Sequence, residues 1–367
     1  MIKARNLVKG DKVAIVSLSS GIFGEEFCSH EVEIAKKRLE DYGFEVVFMP
    51  HTLAGAKYVS ERPEDRAADL KQAILDPEIK AIITAIGGDD TYRTIPYLMD
   101  DLEFVEGVKN NPKIFSGFSD TTINHLMFYK LGLKTFYGPC AMIDLAELDN
   151  DMLPYTKEHF EMFMKDCDSY EIESSDIWYV DREDFSPAQI GVPRVSVLEK
   201  NGYEVLNGNG IVRGELYGGC IESLYDAMTG SSYAEEKEII EKYNILPTLE
   251  EWKGKMLFIE TSELYAKPED LKKMLLEFKS RGILETVSGV LVGKPKNEVF
   301  IEEYKDVYKE VFGDLDTPVL YNMNFGHALP RCLLPYGVMC EVDFDNKKVK
   351  VVEPILEKVD NKVLSKS

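Results

Sequence analysis

The chain has 367 residues, 44% of them hydrophobic and 29% charged, a composition typical of a soluble globular protein long enough for two domains. Its formal net charge of −22 argues against nucleic acid and anionic membranes as partners, because both bind through clustered Lys and Arg. No apolar stretch reaches the roughly 18–20 residues of a transmembrane helix, and residues 1–11 lack the apolar core of a secretory signal, so we expect a cytoplasmic protein.

The first 140 residues alternate between strand-like and helix-like patterns. Short apolar runs predict the strands, and amphipathic stretches predict the helices. The elements are strands at 12–17, 44–48, 79–86 and directly before Ser119, and helices at 31–42, 63–75 and 123–131. This alternation predicts an α/β fold whose parallel sheet is covered by helices.

Three turns follow predicted strands, at 19–21, 87–90 and 117–120. The carboxyl ends of parallel strands share one edge of a sheet, and ligands bind beyond that edge. We therefore expect these turns to meet at a site.

The second half of the chain follows a stretch without clear periodicity. Residues 167–202 are polar, contain Pro187 and Pro193, and are predicted to be a linker and surface loop that carries Trp178 and Phe185. Beyond it, further strands and helices predict a strand-rich mixed α/β unit. We predict an N-terminal domain at 1–166 and a C-terminal domain at 203–367.

Ser119 lies where an apolar strand meets a helical stretch. A serine at such a junction has an exposed hydroxyl beside the unpaired N–H groups of the helix, as a nucleophile requires. Ser, Asp and Thr are also ordinary helix caps, so this segment alone leaves a capping role open.

His327 is the histidine best placed to be a base. It lies in a Gly/Pro-bounded loop after a predicted strand, whereas His125 is six residues beyond Ser119 in a helix and is predicted to be structural. Glu260 closes the apolar strand 255–260 and is a candidate partner for His327, with Glu263 as the competing carboxylate. The order serine, acid, histidine matches α/β-hydrolases, but their second elbow glycine is absent.

The turn 87–90 offers bare backbone N–H groups. Gly87 and Gly88 allow close approach of a ligand, and with the Asp120 amide they are candidates for an oxyanion hole, or they form a plain turn. Asp89 and Asp90 are adjacent carboxylates without a nearby histidine, which gives little support for a metal site. The six cysteines lack a Cys-x-x-Cys pair and are predicted to be reduced, mostly buried thiols.

Six segments along nearly the whole chain include these candidates. They are 87–90, 111–122, 135–139, 214–219, 257–260, and Gly326-His327 with Pro330. In this order they resemble the LD-carboxypeptidase family of serine peptidases, and within it the branch of the microcin C self-immunity peptidase.

The resemblance implies a flavodoxin-like N-terminal domain, a C-terminal swivelling β/α domain, and an active site between them, usually in a homodimer. It places the nucleophile on Ser119, the acid on Glu260 and the base on His327. The oxyanion donors would be the Gly88 and Asp120 amides, and the turn with Gly87 and Asp89 would face substrate.

Two positions depart from the family pattern, and both would face substrate. Cys220 stands where asparagine is common, and Leu264 stands where the microcin-cleaving members carry lysine. Trp178 and Phe185 remain candidates to stack on a base.

The main hypothesis is a cofactor-free, metal-independent serine carboxypeptidase or amidase. Its substrate would be a small peptide-like molecule, either a murein L,D-tetrapeptide or an aminoacyl-nucleotide-like compound. The alternatives are a catalytically weak sensor that keeps the cleft, and a flavodoxin-like nucleotide or flavin binder, which the absence of a phosphate-binding fingerprint disfavours.

Overall fold

The computed structural model describes residues 1–359, which form two large β-sheets with helices packed against them. The strands are β1 (Lys12–Val16), β2 (Glu45–Phe48), β3 (Ile79–Thr84), β4 (Ile114–Gly117), β5 (Phe136–Tyr137), β6 (Tyr170–Ile172), β7 (Ile177–Tyr179), β8 (Ser196–Leu198), β9 (Glu204–Asn207), β10 (Ile211–Cys220), β11 (Lys255–Glu260), β12 (Gly289–Gly293), β13 (Val319–Met323), β14 (Leu334–Pro335), β15 (Met339–Asp343) and β16 (Lys348–Val351).

The α-helices lie between these strands. They are α1 (Ser29–Asp41), α2 (Ala56–Glu61), α3 (Pro63–Leu75), α4 (Ile95–Met99), α5 (Leu102–Asn110), α6 (Thr122–Lys130), α7 (Pro154–Phe160), α8 (Ile221–Thr229), α9 (Ala234–Lys242), α10 (Leu249–Trp252), α11 (Pro268–Ser280), α12 (Ile283–Thr286) and α13 (Ile301–Phe312). Within residues 1–359 no helix combines the length and apolar character needed to cross a membrane.

The first sheet has the strand order β2-β1-β3-β4-β5, with all neighbours parallel. This is the flavodoxin-like order, in which ligands bind at the carboxyl ends of the strands beside the β1/β3 reversal. All four residues of β4 are buried, as expected for a parallel sheet covered on both faces. The predicted α/β fold with a parallel sheet is confirmed.

The second sheet has the order β6-β16-β15-β10-β11-β12-β13-β9. Its centre, β10 to β13, is parallel, and antiparallel strands flank it on both sides. Every residue of β11 is buried, which carries Glu260 into the interior at the end of an apolar strand.

Two short strands lie at the edges of the two sheets. β14 comes late in the chain but pairs antiparallel with β5 of the first sheet. The segment 167–202, predicted as a linker and loop, contains β6, which is the edge of the second sheet, and the β7–β8 hairpin. These strands have three residues each, too few for an alternating pattern to show. Residues 360–367 of the predicted C-terminal domain lie outside the described residues.

The cysteines are all unpaired in the structure. Five are buried and Cys167 is partly exposed. This agrees with the prediction of reduced, mostly buried thiols.

Candidate active site

Ser119 follows β4 with φ = 65°, a left-handed conformation rare for a residue other than glycine. Such a conformation costs about 1–3 kcal/mol and persists only where the surroundings impose it. Here the Ser119 N–H donates to the Tyr137 hydroxyl at 3.1 Å, and the Thr122 hydroxyl donates to the Ser119 carbonyl at 2.7 Å. The turn therefore holds Ser119 at the carboxyl edge of the sheet in the manner of a nucleophile elbow.

Gly87 packs directly against this turn. A Cβ at Gly87 would lie 2.8 Å from Ser119 Cβ, 3.0 Å from Ser119 Oγ and 3.3 Å from the Asp120 amide nitrogen. Only a residue without a side chain permits this approach. The backbone after β3 and the amide after Ser119 therefore lie side by side next to the Ser119 hydroxyl.

Two buried side chains fasten the turns together. The Asp120 carboxylate accepts from the Thr91 N–H at 2.9 Å, and burial raises the pKa of Asp120 to about 6. Arg66 donates to Asp90 at 2.6 Å and to the carbonyls of Leu18 and Ser19 at 3.1 and 3.3 Å. The turns after β1, β3 and β4 thus meet at one edge of the sheet.

Glu260 and His327 come from the second sheet. His327 Nδ1 lies 2.8 Å from Glu260 Oε2, and the His327 backbone N–H donates to the same oxygen at 3.1 Å. Gly326 has φ = 80°, and a Cβ there would stand 2.2 Å from Glu260 Cδ. Both constraints require glycine, which lets the loop after β13 close over the carboxylate.

Glu263 contacts the opposite side of the same ring. Its Oε2 lies 2.8 Å from His327 Nε2, and its side chain is 51% exposed, whereas that of Glu260 is fully buried. Burial alone would lower the pKa of His327, but the charges and hydrogen bonds of Glu260 and Glu263 outweigh burial and raise it to about 9. The sequence left Glu260 and Glu263 open as partners of His327, and the structure pairs Glu260 with Nδ1 and Glu263 with Nε2.

Ser119 Oγ makes no hydrogen bond to His327 within residues 1–359. The position on Nε2 that a relay would give to the serine hydroxyl is taken by Glu263. His327 and Glu263 therefore form an ion pair. The Ser119 turn, His327 and Glu263 lie around one space.

That space is a cavity of about 850 Å³ with walls from both halves of the chain. Ser119, His327, Gly87, Gly88 and Phe185 all line it. Two cations also line it, each held by an acid: Lys296 Nζ lies 2.6 Å from Asp181, and Arg331 Nη1 lies 2.9 Å from Asp144.

Four residues predicted to bind substrate are absent from the cavity wall. Trp178 is buried beneath the Lys294 ammonium, 5.3 Å from its ring centroid. Asp89 accepts from the Tyr233 hydroxyl, and Leu264 is 78% exposed. Cys220 is buried, with its thiol 3.2 Å from Glu222.

Tyr137 is the site residue that sequence reasoning left without a role. Its hydroxyl donates to Glu260 Oε1 at 2.5 Å and accepts from the Ser119 N–H. The available signal was its place at the end of β5, beside β4, where carboxyl ends converge. Arg331, over the Phe118 ring at 3.9 Å, was also missed.

His125, predicted to be structural, is fully buried. Its ring nitrogens bond the Thr135 hydroxyl and the Gly117 carbonyl, both at 2.9 Å. Burial lowers the pKa of His125 to about 3, so the ring is neutral and serves packing.

Among residues 1–359, one cluster has the donor atoms of a metal site. A thiol of Cys220, an oxygen of Glu260 and a nitrogen of His327 lie within 4.8 Å of one another. Glu260 already accepts from Tyr137 and from His327, so the lone pairs facing that ring are engaged in hydrogen bonds. We therefore assign the cluster to the Glu–His pair.

Comparisons with known proteins match both halves of the chain. A family model for the LD-carboxypeptidase N-terminal domain matches residues 13–138, and one for the LD-carboxypeptidase C-terminal domain matches 213–342. The microcin C7 self-immunity protein MccF of Escherichia coli is 30% identical over 327 residues, which cover 87% of each chain.

Solved structures show the same likeness. An MccF-like protein from Streptococcus pneumoniae in complex with AMP superposes with a TM-score of 0.88 and 45% identity, covering 93% of this chain and 98% of that one. MccF in complex with aspartyl sulfamoyl adenosine gives a TM-score of 0.80 and 25% identity, covering 97% and 100%.

Proposed function

The chain belongs to the LD-carboxypeptidase family, and from that premise we propose that it is a serine peptidase or amidase acting through Ser119, His327 and Glu260. The substrate is a small peptide-like molecule with a scissile amide bond. The observation that carries the proposal is the 2.8 Å Glu260–His327 pair on the same cavity as the strained Ser119 turn. Chemistry of this kind needs a nucleophile, an oriented imidazole and a buried acid around one space.

In the proposed reaction, Ser119 Oγ attacks the carbonyl carbon while its proton passes to His327 Nε2. The oxyanion is stabilised by the amides of Gly88 and Asp120, beside the close contact at Gly87. His327 then protonates the leaving amine, and an acyl-enzyme on Ser119 remains for water to hydrolyse. Glu260 keeps the Nδ1 proton in place and stabilises the imidazolium.

Between the two substrate classes, we favour aminoacyl-nucleotide-like compounds. Two of the structural relatives hold AMP or aspartyl sulfamoyl adenosine. Phe185 lines the cavity and offers an aromatic face to a base, and the volume of about 850 Å³ accommodates a nucleotide.

We also propose a homodimer, which light scattering would test as twice the chain mass.

A mass-spectrometric digest tests the proposal. Wild type, Ser119→Ala and the exposed-serine control Ser60→Ala are each incubated with a murein tetrapeptide, its L,L-linked isomer and an aminoacyl sulfamoyl adenosine. We expect wild type and Ser60→Ala to release sulfamoyl adenosine, and Ser119→Ala to release none. Turnover by Ser119→Ala near the wild-type rate would refute the assignment, and loss of a terminal D-residue alone would shift it to the murein substrate.

One observation favours a second candidate, a sensor with weak chemistry. His327 Nε2 is paired with Glu263 rather than with the serine hydroxyl. A fluorophosphonate probe separates the two: labelling of Ser119 that vanishes in His327→Ala supports the enzyme, and an unlabelled wild type supports the sensor.

A further inference from the structure

Within residues 1–359, Glu263 is the one carboxylate that contacts the outer nitrogen of His327. It follows β11 by three residues, is half exposed and lines the cavity, with Oε2 at 2.8 Å from Nε2. In the proposed reaction Nε2 must accept the Ser119 proton, so this contact and the reaction exclude each other. Glu263 therefore has to leave His327 before Ser119 can attack.

A half-exposed carboxylate that leaves an imidazolium can be solvated by water, and a second cation stabilises it further. Lys296 and Arg331, the cavity's lysine and arginine, are already paired with Asp181 and Asp144. The cavity wall also carries Glu26 and Glu183. Lys296 already acts on Glu263 through space, and a positive charge brought by the substrate would pair with Glu263 without breaking either of these ion pairs.

We propose that Glu263 determines specificity by recognising a substrate ammonium group next to the scissile carbonyl, and that this group displaces Glu263 from His327. The proposal deepens the proposed function and rests on it. It names the substrate class as amides of amino acids whose α-amine is free. Acylated amines, as at an internal peptide position, lack the charge that the exchange requires.

The exchange balances in charge and protons. In the free enzyme His327 is an imidazolium between two carboxylates, consistent with its raised pKa. When the substrate ammonium pairs with Glu263, the Nε2 proton passes to water and the neutral nitrogen faces Ser119. Glu260 and Glu263 contact the ring, and the Cys220 thiol lies within 4.8 Å of one of its nitrogens. Glu222 acts on Glu260 and Lys296 acts on Glu263 through space. Of the two carboxylates in contact with the ring, Glu263 is half exposed and Glu260 is buried.

The test uses fluorophosphonate labelling of Ser119, which needs no knowledge of the natural substrate. Glu263→Gln and Glu263→Ala are compared with wild type and with Asp184→Asn, which removes a nearby exposed carboxylate outside the cavity wall. We expect both Glu263 variants to label at least about tenfold faster at pH 7, because each unit by which the pKa of His327 falls multiplies its neutral fraction about tenfold. The labelling profile should also shift to lower pH, which a merely structural role would not cause.

A second readout tests recognition of the amine. Alanyl sulfamoyl adenosine and its N-acetyl form are used to protect Ser119 from the probe. Wild type and Asp184→Asn should be protected at least about tenfold better by the free amine, and Glu263→Gln should lose that preference.

The outcomes are separable. Equal labelling rates in wild type and the Glu263 variants, or equal protection of wild type by the two compounds, would overturn the role of Glu263. Absence of labelling in every variant would instead refute Ser119 as the nucleophile and with it the proposed function.

Discussion

Tyr137 donates its hydroxyl proton to Glu260 across the boundary between the two sheets, at 2.5 Å. The Tyr137 hydroxyl oxygen also accepts from the backbone N–H of Ser119, at 3.1 Å. One phenol therefore connects the buried Glu260, which contacts His327, with the turn that carries Ser119. This connection fixes the position of the two halves of the site relative to each other.

Tyr137→Phe should impair catalysis and stability together. The change leaves the Ser119 amide without its partner and leaves Glu260 Oε1 with only the His327 Nδ1 contact at 3.1 Å, and an unsatisfied buried group costs about 1–3 kcal/mol. We expect the free energy of unfolding to fall by that amount and kcat/KM to fall about tenfold, measured by urea unfolding and by amide hydrolysis.

Tyr336→Phe is the matched control. Its buried hydroxyl donates to the Gly218 carbonyl at 2.7 Å and touches neither Glu260 nor Ser119 through a hydrogen bond. It should lose stability but keep kcat/KM. Equal catalytic loss in the two variants would show that the Tyr137 contacts have no special role.

His327 should make stability depend on pH in the alkaline range. Its pKa is about 9 in the folded chain and near its ordinary 6.5 in the unfolded chain. The stabilisation is thus fully present below pH 6.5 and is lost as pH rises to 9. Discounted for the half-exposed Glu263, it amounts to about 2 kcal/mol. Urea titrations at pH 6 and pH 9 should show this loss in wild type, and a similar loss in His327→Gln would contradict it.

Much of the fold followed from the sequence because the strands of the first sheet are apolar runs that end in turns. The predicted strand 12–17 is observed as Lys12–Val16, and the helix predicted at 63–75 is observed as Pro63–Leu75. Parallel pairing then places the turns after β1, β3 and β4 at one edge without further information.

The remaining features depend on tertiary contacts that periodicity does not report. Glu263 lies in a loop, and only the fold of that loop shows that its carboxylate reaches the outer nitrogen of His327. Trp178 and Phe185 share one segment, yet the hairpin buries the first under Lys294 and turns the second to the cavity. The pairing of β14 with β5 joins residues about two hundred positions apart.

His125 should weaken the protein on acidification. Burial lowers its pKa to about 3, so the unfolded chain binds a proton below pH 6.5 that the folded chain rejects. Stability contributed by the neutral ring is therefore lost as pH falls from 6.5 towards 3, by on the order of 4 kcal/mol at the acid end.

His125→Gln tests this dependence, because glutamine does not titrate. The variant should be less stable at pH 7 and should lose less stability than wild type between pH 7 and pH 4, measured by urea unfolding. Its KM should match wild type at pH 7. A wild-type-like acid dependence in the variant would assign the loss to carboxylates instead.

Gly87→Ala should abolish most activity without unfolding the protein. The added methyl would stand 2.8 Å from Ser119 Cβ and 3.0 Å from its hydroxyl, so the serine turn or the 87–90 turn must move. A misplacement of about 1 Å at a reacting group costs on the order of a hundredfold in rate, and we expect kcat/KM to fall by at least that factor.

Gly132→Ala is the control. Position 132 has open space for a methyl group but φ = 87°, so this variant loses stability through backbone strain alone. Both variants should melt as folded proteins, and only Gly87→Ala should lose fluorophosphonate labelling of Ser119. Undiminished labelling of Gly87→Ala would mean that the two turns are not in contact around the nucleophile.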